Sequence, residues 1–184
     1  MATVVEDAQS QMEKTIESTK ENFVGIRTGR ANPALFNGLT VDYYGAPTPL
    51  KALASVGVSD NRTLAVTPFD VSQCAAIEKA IRDSDLGVNP RRDGNVIHVT
   101  LPELTEERRR DYVKLAREFA EKGKIAIRNI RRKTKEGIDT STKSGEYGED
   151  EGKRLQNELE KVTKKASDEI DSLLETKEKE ILSV

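Results

Sequence analysis

Three stretches of the chain repeat apolar residues every three or four positions, the period of a helix with one buried face. The first comprises Val5, Ala8, Met12, Ile16, Thr19, Phe23 and Ile26, and it predicts one helix that ends near Gly29. The second begins after Thr105, where Glu106 and Glu107 are typical of a helix N-terminus. It predicts a helix of about 35 residues that ends near Thr142. A third stretch, from Leu155 to Ile181, predicts a last helix that runs nearly to the C-terminus.

Between the first two helices the pattern changes to short β-branched or aromatic runs separated by Gly, Pro, Asn and Asp. The runs are LTVDYYGAPTPL, LASVGVSDNRTLAVTPF and NVIHVT, and they predict strands joined by turns. Between the last two runs, a start at Asp70 or Ser72, apolar residues at Ala75, Ile77, Ile81 and Leu86, and a stop at Gly87 predict one short helix. This helix is expected to lie on a small sheet.

Each amphipathic helix must bury its apolar face against the others, which predicts a three-helix bundle. The bundle is discontinuous, with residues 1–30 and 105–184 flanking an inserted β/α/β domain at 31–104, so the fold class is α+β. Two short proline-containing links join the domains and predict rigid bodies that meet at a hinge. The predicted hinge residues are Arg30, Ala31, Asn32 and Pro33 in one link, and Leu101, Pro102, Glu103, Leu104 and Thr105 in the other.

The amino-acid composition favours a soluble helical protein and argues against membrane and metal-binding proteins. Charged residues reach 34% and aromatic residues only 4%, which suits slender helices better than a thick core. The N-terminal segment lacks a leader pattern and no apolar run has membrane-spanning length, so we expect a soluble, cytoplasmic protein without a membrane partner. Cys74 and His98 are the only residues of their types, which argues against a disulfide or a Cys/His metal cluster.

The positive charge is concentrated on the second helix. Residues 105–135 hold twelve Lys and Arg residues against five Asp and Glu residues, a net charge of +7, whereas residues 136–184 carry −6. One face of this helix holds Arg110, Lys114, Arg117, Lys124, Arg128, Arg131 and Lys135, interrupted by Glu121. The choice of Arg favours polyanion binding, because a guanidinium matches phosphate oxygens. The alternative is a solvated face whose cations pair with the acidic third helix.

Other arginines lie where the helices meet the links. Arg27 and Arg30 lie near the predicted end of the first helix, where capping of that end is the simpler role. Packing of the bundle would bring them close to Arg109 and Arg110 at the start of the second helix, and phosphate-binding arginines from two helices would then converge at the bend.

Two other classes of protein were weighed. An enzyme would need a site, but Cys74 is expected on the apolar side of a short helix, His98 on a strand, and no nucleotide-binding or hydrolase motif is present. We therefore expect no catalytic residues, no metal and no cofactor. A coiled-coil scaffold would self-associate, whereas the bundle predicts a monomer. Tyr43, Tyr44, Pro47 and Pro49 are either a contact loop for a protein partner or simple turn structure.

Five motifs together resemble the ribosome recycling factor family of bacteria: IRTGRANP, VDYYGAPTPL, ASVGVSDNRTLAVTPFD, LTEERRRDYVK and RNIRR. The resemblance runs from about Met12 to the C-terminus. It implies a bundle and a β/α/β domain in an L shape of tRNA-like dimensions, and a protein that binds the large subunit of the post-termination ribosome. The resemblance further implies that the protein splits this ribosome into subunits together with elongation factor G and GTP. The GTP would be used by the elongation factor, and DNA is not an expected partner.

The resemblance also implies which residues contact rRNA. The family's arginines fall on Arg27, Arg30, Arg109, Arg110, Arg128, Arg131 and Arg132, to which the basic face adds Lys114, Arg117 and Lys124. One departure concerns the second link, where many family members have two prolines and this chain has Pro102 and Glu103. The second link is therefore expected to be less stiff than in those relatives.

Overall fold

The computed structural model describes residues 3–183. Residues 1, 2 and 184, which the predicted bundle boundaries include, lie outside the described residues. In chain order the elements are α1 (Val4–Val24), β1 (Thr40–Tyr43), β2 (Ala46–Pro49), α2 (Leu50–Leu53), β3 (Ala54–Asp60), β4 (Thr63–Pro68), α3 (Cys74–Arg82), β5 (Asn89–Asp93), β6 (Val96–Thr100), α4 (Glu106–Lys143) and α5 (Glu149–Leu182). Two 3₁₀ helices, Pro33–Phe36 and Val71–Gln73, precede β1 and α3. The predicted fold class, a long helical bundle with a small sheet domain, is confirmed.

The long helices α1, α4 and α5 bury the apolar faces that the sequence pattern predicts. Their fully buried side chains include Met12, Ile127, Ile138, Leu159 and Ile170. The three helices approach one another closely at Gly123 of α4, where a Cβ atom would lie 2.6 Å from Thr19 Oγ1 of α1 and 3.0 Å from Ile170 Cδ1 of α5. Glycine therefore permits the close approach of α1 and α5 to α4 at this position.

The first helix ends earlier than predicted. α1 stops at Val24 with Gly25 as its C-cap, and Gly25 donates its N–H to the Phe23 carbonyl. Ile26 is nevertheless 3% exposed, so the apolar period continues past the last helical residue. The prediction of an end near Gly29 was wrong because the pattern reports burial rather than hydrogen bonding. Arg27 and Arg30 therefore lie outside α1, beyond the last turn in which the helix dipole favours a cation.

The sheet domain packs one face of a four-stranded antiparallel sheet, in the order β3-β4-β6-β5, against α3. The β1–β2 hairpin forms a separate two-stranded sheet that contacts α3 and α2. The core is made of Phe36, Val41, Leu50, Leu64, Val66, Ile77, Ile81, Ile97 and Val99, all at most 1% exposed. The expectation of a buried Cys74 is confirmed, whereas Ala75, predicted to be apolar core, is exposed and α3 ends at Arg82 rather than at Gly87.

One strand was not predicted. β5 has the sequence NPRRD, whose proline and charges are unusual in a central strand. Its position at the edge of the sheet explains the composition, because charge and proline on an edge strand discourage pairing with another chain. The short helix α2 was also missed, since four residues carry no readable period.

The chain divides into two compact units. The bundle unit comprises the described residues up to Ile26 together with Arg110–Glu180, and the head unit comprises Arg27–Arg109 together with the end of the chain from Ile181. Within residues 3–183, no helix combines the length and the apolar character needed to cross a membrane.

Candidate nucleic-acid interface

The basic face of α4 consists of two columns of side chains. One column holds Arg110, Arg117, Lys124 and Arg131, and the other holds Lys114, Glu121, Arg128 and Lys135. Within each column the spacing is seven residues, which is nearly two helical turns, so the side chains lie one above another. The two columns differ in what their charged groups contact.

Three cations of the first column bond to acidic residues of α5. Arg117 Nε lies 2.6 Å from Glu178 Oε1, and Lys124 Nζ lies 2.8 Å from Asp171 Oδ1. Arg131 directs Nε and Nη2 to Glu160 Oε1, at 2.8 Å and 2.5 Å. We refer to these three pairs as the α4–α5 ladder. The alternative in which basic residues pair with the acidic third helix therefore describes three of the four cations of this column.

The register of the ladder follows from the antiparallel course of α4 and α5. A step of seven residues up α4, from Arg117 to Lys124, matches a step of seven down α5, from Glu178 to Asp171. The next step down reaches Lys164, which has the wrong sign and pairs with Asp168 instead. Arg131 therefore pairs with Glu160, which lies one helical turn beyond Lys164 on α5. These three acids were not predicted, although the seven-residue spacing that Glu178 and Asp171 share with Arg117 and Lys124 was a signal that could have found two of them.

The ladder cations remain charged and open to solvent. Hydrogen bonds with Glu178 and Glu160 raise the pKa of the Arg117 and Arg131 guanidinium groups above the ordinary arginine value. Arg117 keeps 65% of its side-chain surface exposed and Arg131 keeps 36%. Ion pairs with this much exposure contribute little to folding stability.

Four further predicted residues of α4, namely Arg110, Lys114, Arg128 and Arg132, are exposed. Arg128 Nη2 bonds to Glu121 within its own helix, at 2.5 Å. Arg110 is exposed and has intramolecular interactions of its own. Lys114 and Arg132 are exposed and take part in no ion pair among residues 3–183. Among the predicted site residues, the side chains of Lys114 and Arg132 are therefore the most directly available to an anion.

Arg27 and Arg109 are held by backbone carbonyls of the head unit. Arg27 Nη2 donates to Pro102 O at 2.5 Å, and Arg109 Nη1 reaches Leu182 O at 3.4 Å, at the end of α5. A cation beside the last carbonyls of a helix is stabilised by the helix dipole. Both side chains are half-buried, whereas Arg30 is exposed. Contact of these three arginines with rRNA stays a prediction.

The two links are partly fixed by backbone bonds to the β3–β4 turn. Ala31 N donates to Asn61 O and Leu101 N donates to Arg62 O, both at 2.7 Å. Asn32 caps the following 3₁₀ helix, in which Pro33 occupies the first position, through a bond from Ala34 N to its Oδ1 at 3.0 Å.

In the second link, Glu103 pairs with Arg62 at 2.9 Å. Leu101 and Leu104 are buried, and Thr105 Oγ1 accepts a hydrogen bond from Arg108 N at 3.2 Å. Glu103 thus has its partner on the turn that Leu101 also contacts.

The predicted partner loop is a tight hairpin between β1 and β2. Tyr44 and Gly45 form its two-residue turn with φ of 50° and 83°, a left-handed conformation that a tyrosine rarely adopts. Asp42 Oδ1 accepts the Gly45 N–H at 2.8 Å, and the rings of Tyr43 and Tyr44 meet edge to face at 4.6 Å. Tyr44 is 79% exposed. Pro47 and Pro49 lie on β2, and a partner contact by the four residues stays a prediction.

A helical bundle with a basic helix, together with a small sheet domain, defines an α+β protein whose candidate site is a polyanion-binding surface. Residues 19–182 match the sequence model of the family described as ribosome recycling factor. The chain is 69% identical to the ribosome-recycling factor of Bifidobacterium adolescentis over 184 residues, all of both chains, and 56% identical to that of Kineococcus radiotolerans over 178 residues, 97% of this chain and 96% of the other. This chain belongs to the ribosome recycling factor family.

Two solved structures are similar along nearly the whole chain. A solution structure of the ribosome recycling factor shares 42% identity, covers 100% of both chains and gives a TM-score of 0.78. A second, described as models for the Thermus thermophilus ribosome recycling factor and the Escherichia coli elongation factor G bound to the Escherichia coli post-termination complex, shares 46% identity. It covers 98% of this chain and 97% of the other, with a TM-score of 0.68.

Proposed function

We propose that this protein binds the large subunit of the post-termination ribosome and, with elongation factor G and GTP, splits the ribosome into subunits. The observation that carries the proposal is the net charge of +7 on residues 105–135, presented on α4. The description of the 46%-identical relative, in which a ribosome recycling factor and elongation factor G are bound to a post-termination complex, supports the same partners.

In this proposal the rRNA backbone contacts the exposed cations of α4. Lys114 and Arg132 are available at once, and Arg110, Arg117, Lys124, Arg128 and Arg131 lie along the same helix. Arg27, Arg30 and Arg109 belong to the predicted set, with Arg27 and Arg109 acting chiefly to hold backbone carbonyls. Splitting is driven by differential affinity, because the protein binds a ribosomal conformation that is incompatible with contacts between the subunits.

The chain itself performs no chemistry in this mechanism. We assign it no catalytic residue and no cofactor, and the GTP belongs to the elongation factor. Because α1, α4 and α5 bury their apolar faces within one chain, we propose that it acts as a monomer. A factor that works on ribosomes of a bacterium acts in the cytoplasm.

In this proposal the two units bend relative to each other at the links, and the hydrogen bonds of the links limit which residues can take part. The bonds from Ala31 to Asn61 and from Leu101 to Arg62 hold these residues to the head unit. We therefore propose that rotation occurs in the rest of the predicted links, at Arg30 and at residues 102–105. The L shape of tRNA-like dimensions belongs to the proposal as well.

The test is light scattering from vacant 70S ribosomes mixed with this protein, a matched elongation factor G and GTP. A fall in scattering that requires all three components is the expected result. If scattering falls equally when this protein is omitted, or stays constant with everything present, the proposal is wrong. Charge reversal at Arg132 (R132E) serves as the site control, because the exposed side chain has no ion pair to lose.

A further inference from the structure

We propose that Glu160, Asp171 and Glu178 of α5 compete with rRNA phosphates for the cations of α4, and that this competition limits how tightly the protein holds the ribosome. The inference rests on the proposed function, since it concerns the same binding surface. It adds three acidic residues, none of them in the predicted site, as determinants of affinity.

The geometry of the ladder carries the inference. Its three cations already have a carboxylate oxygen at 2.5 to 2.8 Å, the distance at which a phosphate oxygen would bond. Carboxylate and phosphate present the same kind of acceptor to a guanidinium fork. Arg131 commits both Nε and Nη2 to Glu160, so a phosphate that uses this edge of the guanidinium must displace the carboxylate.

The fold does not need these acids. The helices are held by fully buried side chains such as Ile127, Leu159 and Ile170, while every ladder pair has a half or more exposed member. Exposed pairs of this kind add little stability. Their positions on α5 nevertheless place an acid beside each ladder cation, where it lowers the affinity of that cation for any other anion.

The cations of α4 differ in whether a carboxylate already binds them, so we expect them to bind phosphates in sequence. Lys114 and Arg132 take part in no ion pair in the described chain and meet an approaching phosphate first. Arg117, Lys124 and Arg131 follow only when their carboxylates are exchanged. Binding is therefore weaker than the positive charge of α4 alone would give, and a factor that must leave after each round benefits from faster release.

The decisive variant carries E160Q, D171N and E178Q together. Glutamine and asparagine keep the shape and remove the charge, so the ladder cations lose their competitors. From the coupling typical of exposed pairs, affinity for purified large subunits should rise about two- to five-fold per pair. The dependence of log affinity on log salt should steepen, because more cations become available to phosphate.

The matched control carries E158Q, D168N and E175Q. These acids of α5 pair with Arg154, Lys164 and Lys179 of the same helix, so the control changes the net charge by the same amount without releasing a cation of α4. We expect its affinity and salt dependence to stay close to those of the original chain. Equal gains in both variants would reduce the effect to net charge and overturn the inference, as would a ladder variant that binds no more tightly.

A third variant separates this inference from the proposed function. R131Q with K124Q removes two ladder cations and should weaken binding to the large subunit. If this variant weakens binding while the ladder variant gains nothing, the proposed function stands and the competition is rejected. If no variant changes binding, the α4 surface itself is not the binding site. Circular dichroism at the working temperature confirms that each variant keeps its helices.

Discussion

The bundle and the head use charge in different ways. On α4 the cations form columns that run along the helix, and three of them bond to acids from a different helix. In the head, Arg82 pairs with Glu78 of its own helix and Arg62 pairs with Glu103 of a neighbouring link. The bundle thus presents a repeating charged surface, whereas the head uses charge locally to fix a helix and a link. The first arrangement is the one on which the proposed polyanion binding rests.

The two units have separate hydrophobic cores. Truncation of one buried side chain in each core should therefore destabilise one unit without the other. Ile77 of the head and Ile170 of the bundle are both fully buried. Each change to Ala should cost its own unit about 2 to 5 kcal/mol, the usual cost of such a cavity. Hydrogen exchange followed residue by residue should show Ile77→Ala lowering protection in β4 and β6 while α4 and α5 keep theirs, and Ile170→Ala doing the reverse. Loss of protection in both units from either change would show that they unfold as one.

Packing within the bundle can be tested at two glycines of the same helix. Gly123→Ala forces a methyl group against Thr19 Oγ1 and Ile170 Cδ1, a clash that should cost about 1 to 3 kcal/mol of bundle stability. Gly137→Ala meets nothing within 4 Å and should stabilise the helix by about 0.5 to 1 kcal/mol. Urea denaturation measures both. Equal effects of the two substitutions would mean that the helices do not approach at Gly123.

The charge contrast predicts which substitutions should weaken the proposed binding to rRNA. Arg132→Gln on α4 should reduce the slope of log affinity against log salt by about one. Arg91→Gln on the edge strand β5 removes the same charge from the head and should leave the slope unchanged, since that arginine protects a sheet edge. Filter binding to purified large subunits over a salt series gives both slopes. A larger loss from the Arg91 change would move the interface to the head.

The elements that local patterns determine were predicted well. Both ends of α4 and the C-terminal end of α5 were predicted closely, because an uninterrupted apolar period marks these helices, whereas α5 begins at Glu149, six residues before the predicted Leu155. The end of α1 was missed because Ile26 keeps the buried period after the helical hydrogen bonds stop. β5 was missed because edge position, which the sequence does not state, is what permits Pro90 and two arginines in a strand.

The candidate site was predicted only in part for a similar reason. The cations of α4 follow from the sequence, but their partners depend on the register between α4 and α5, which is a tertiary property. The hydrogen bonds of Arg27 and Arg109 to the carbonyls of Pro102 and Leu182 are also long-range. Counting charges along the sequence therefore predicts which helix carries the basic surface. Which acid pairs with which cation is known only once the packing of the helices is known.

The smallest expected effect concerns acid stability, which also differs between the units. In the head, the hydroxyl and N–H of Ser72 hold the pKa of Asp70 below its ordinary value of 3.8, and the N–H of Arg62 with the Thr63 side chain does the same for Asp60. A folded-state pKa below the unfolded value means that the ionised groups stabilise the head fully above pH 3.8. This contribution is lost as the pH falls through the lower, folded-state values.

The double variant D60N/D70N keeps an oxygen acceptor at both positions and removes the titration. Its head unit should therefore lose less stability between pH 5 and pH 2 than that of the original chain. Thermal unfolding followed by methyl NMR signals of Leu64 and Ile97 reports the head, and those of Ile127 and Ile170 report the bundle. The bundle should keep its acid response, because the low pKa of Glu175, caused by Lys179, is untouched. A head unit with an unchanged acid response would show that the two aspartates do not govern it.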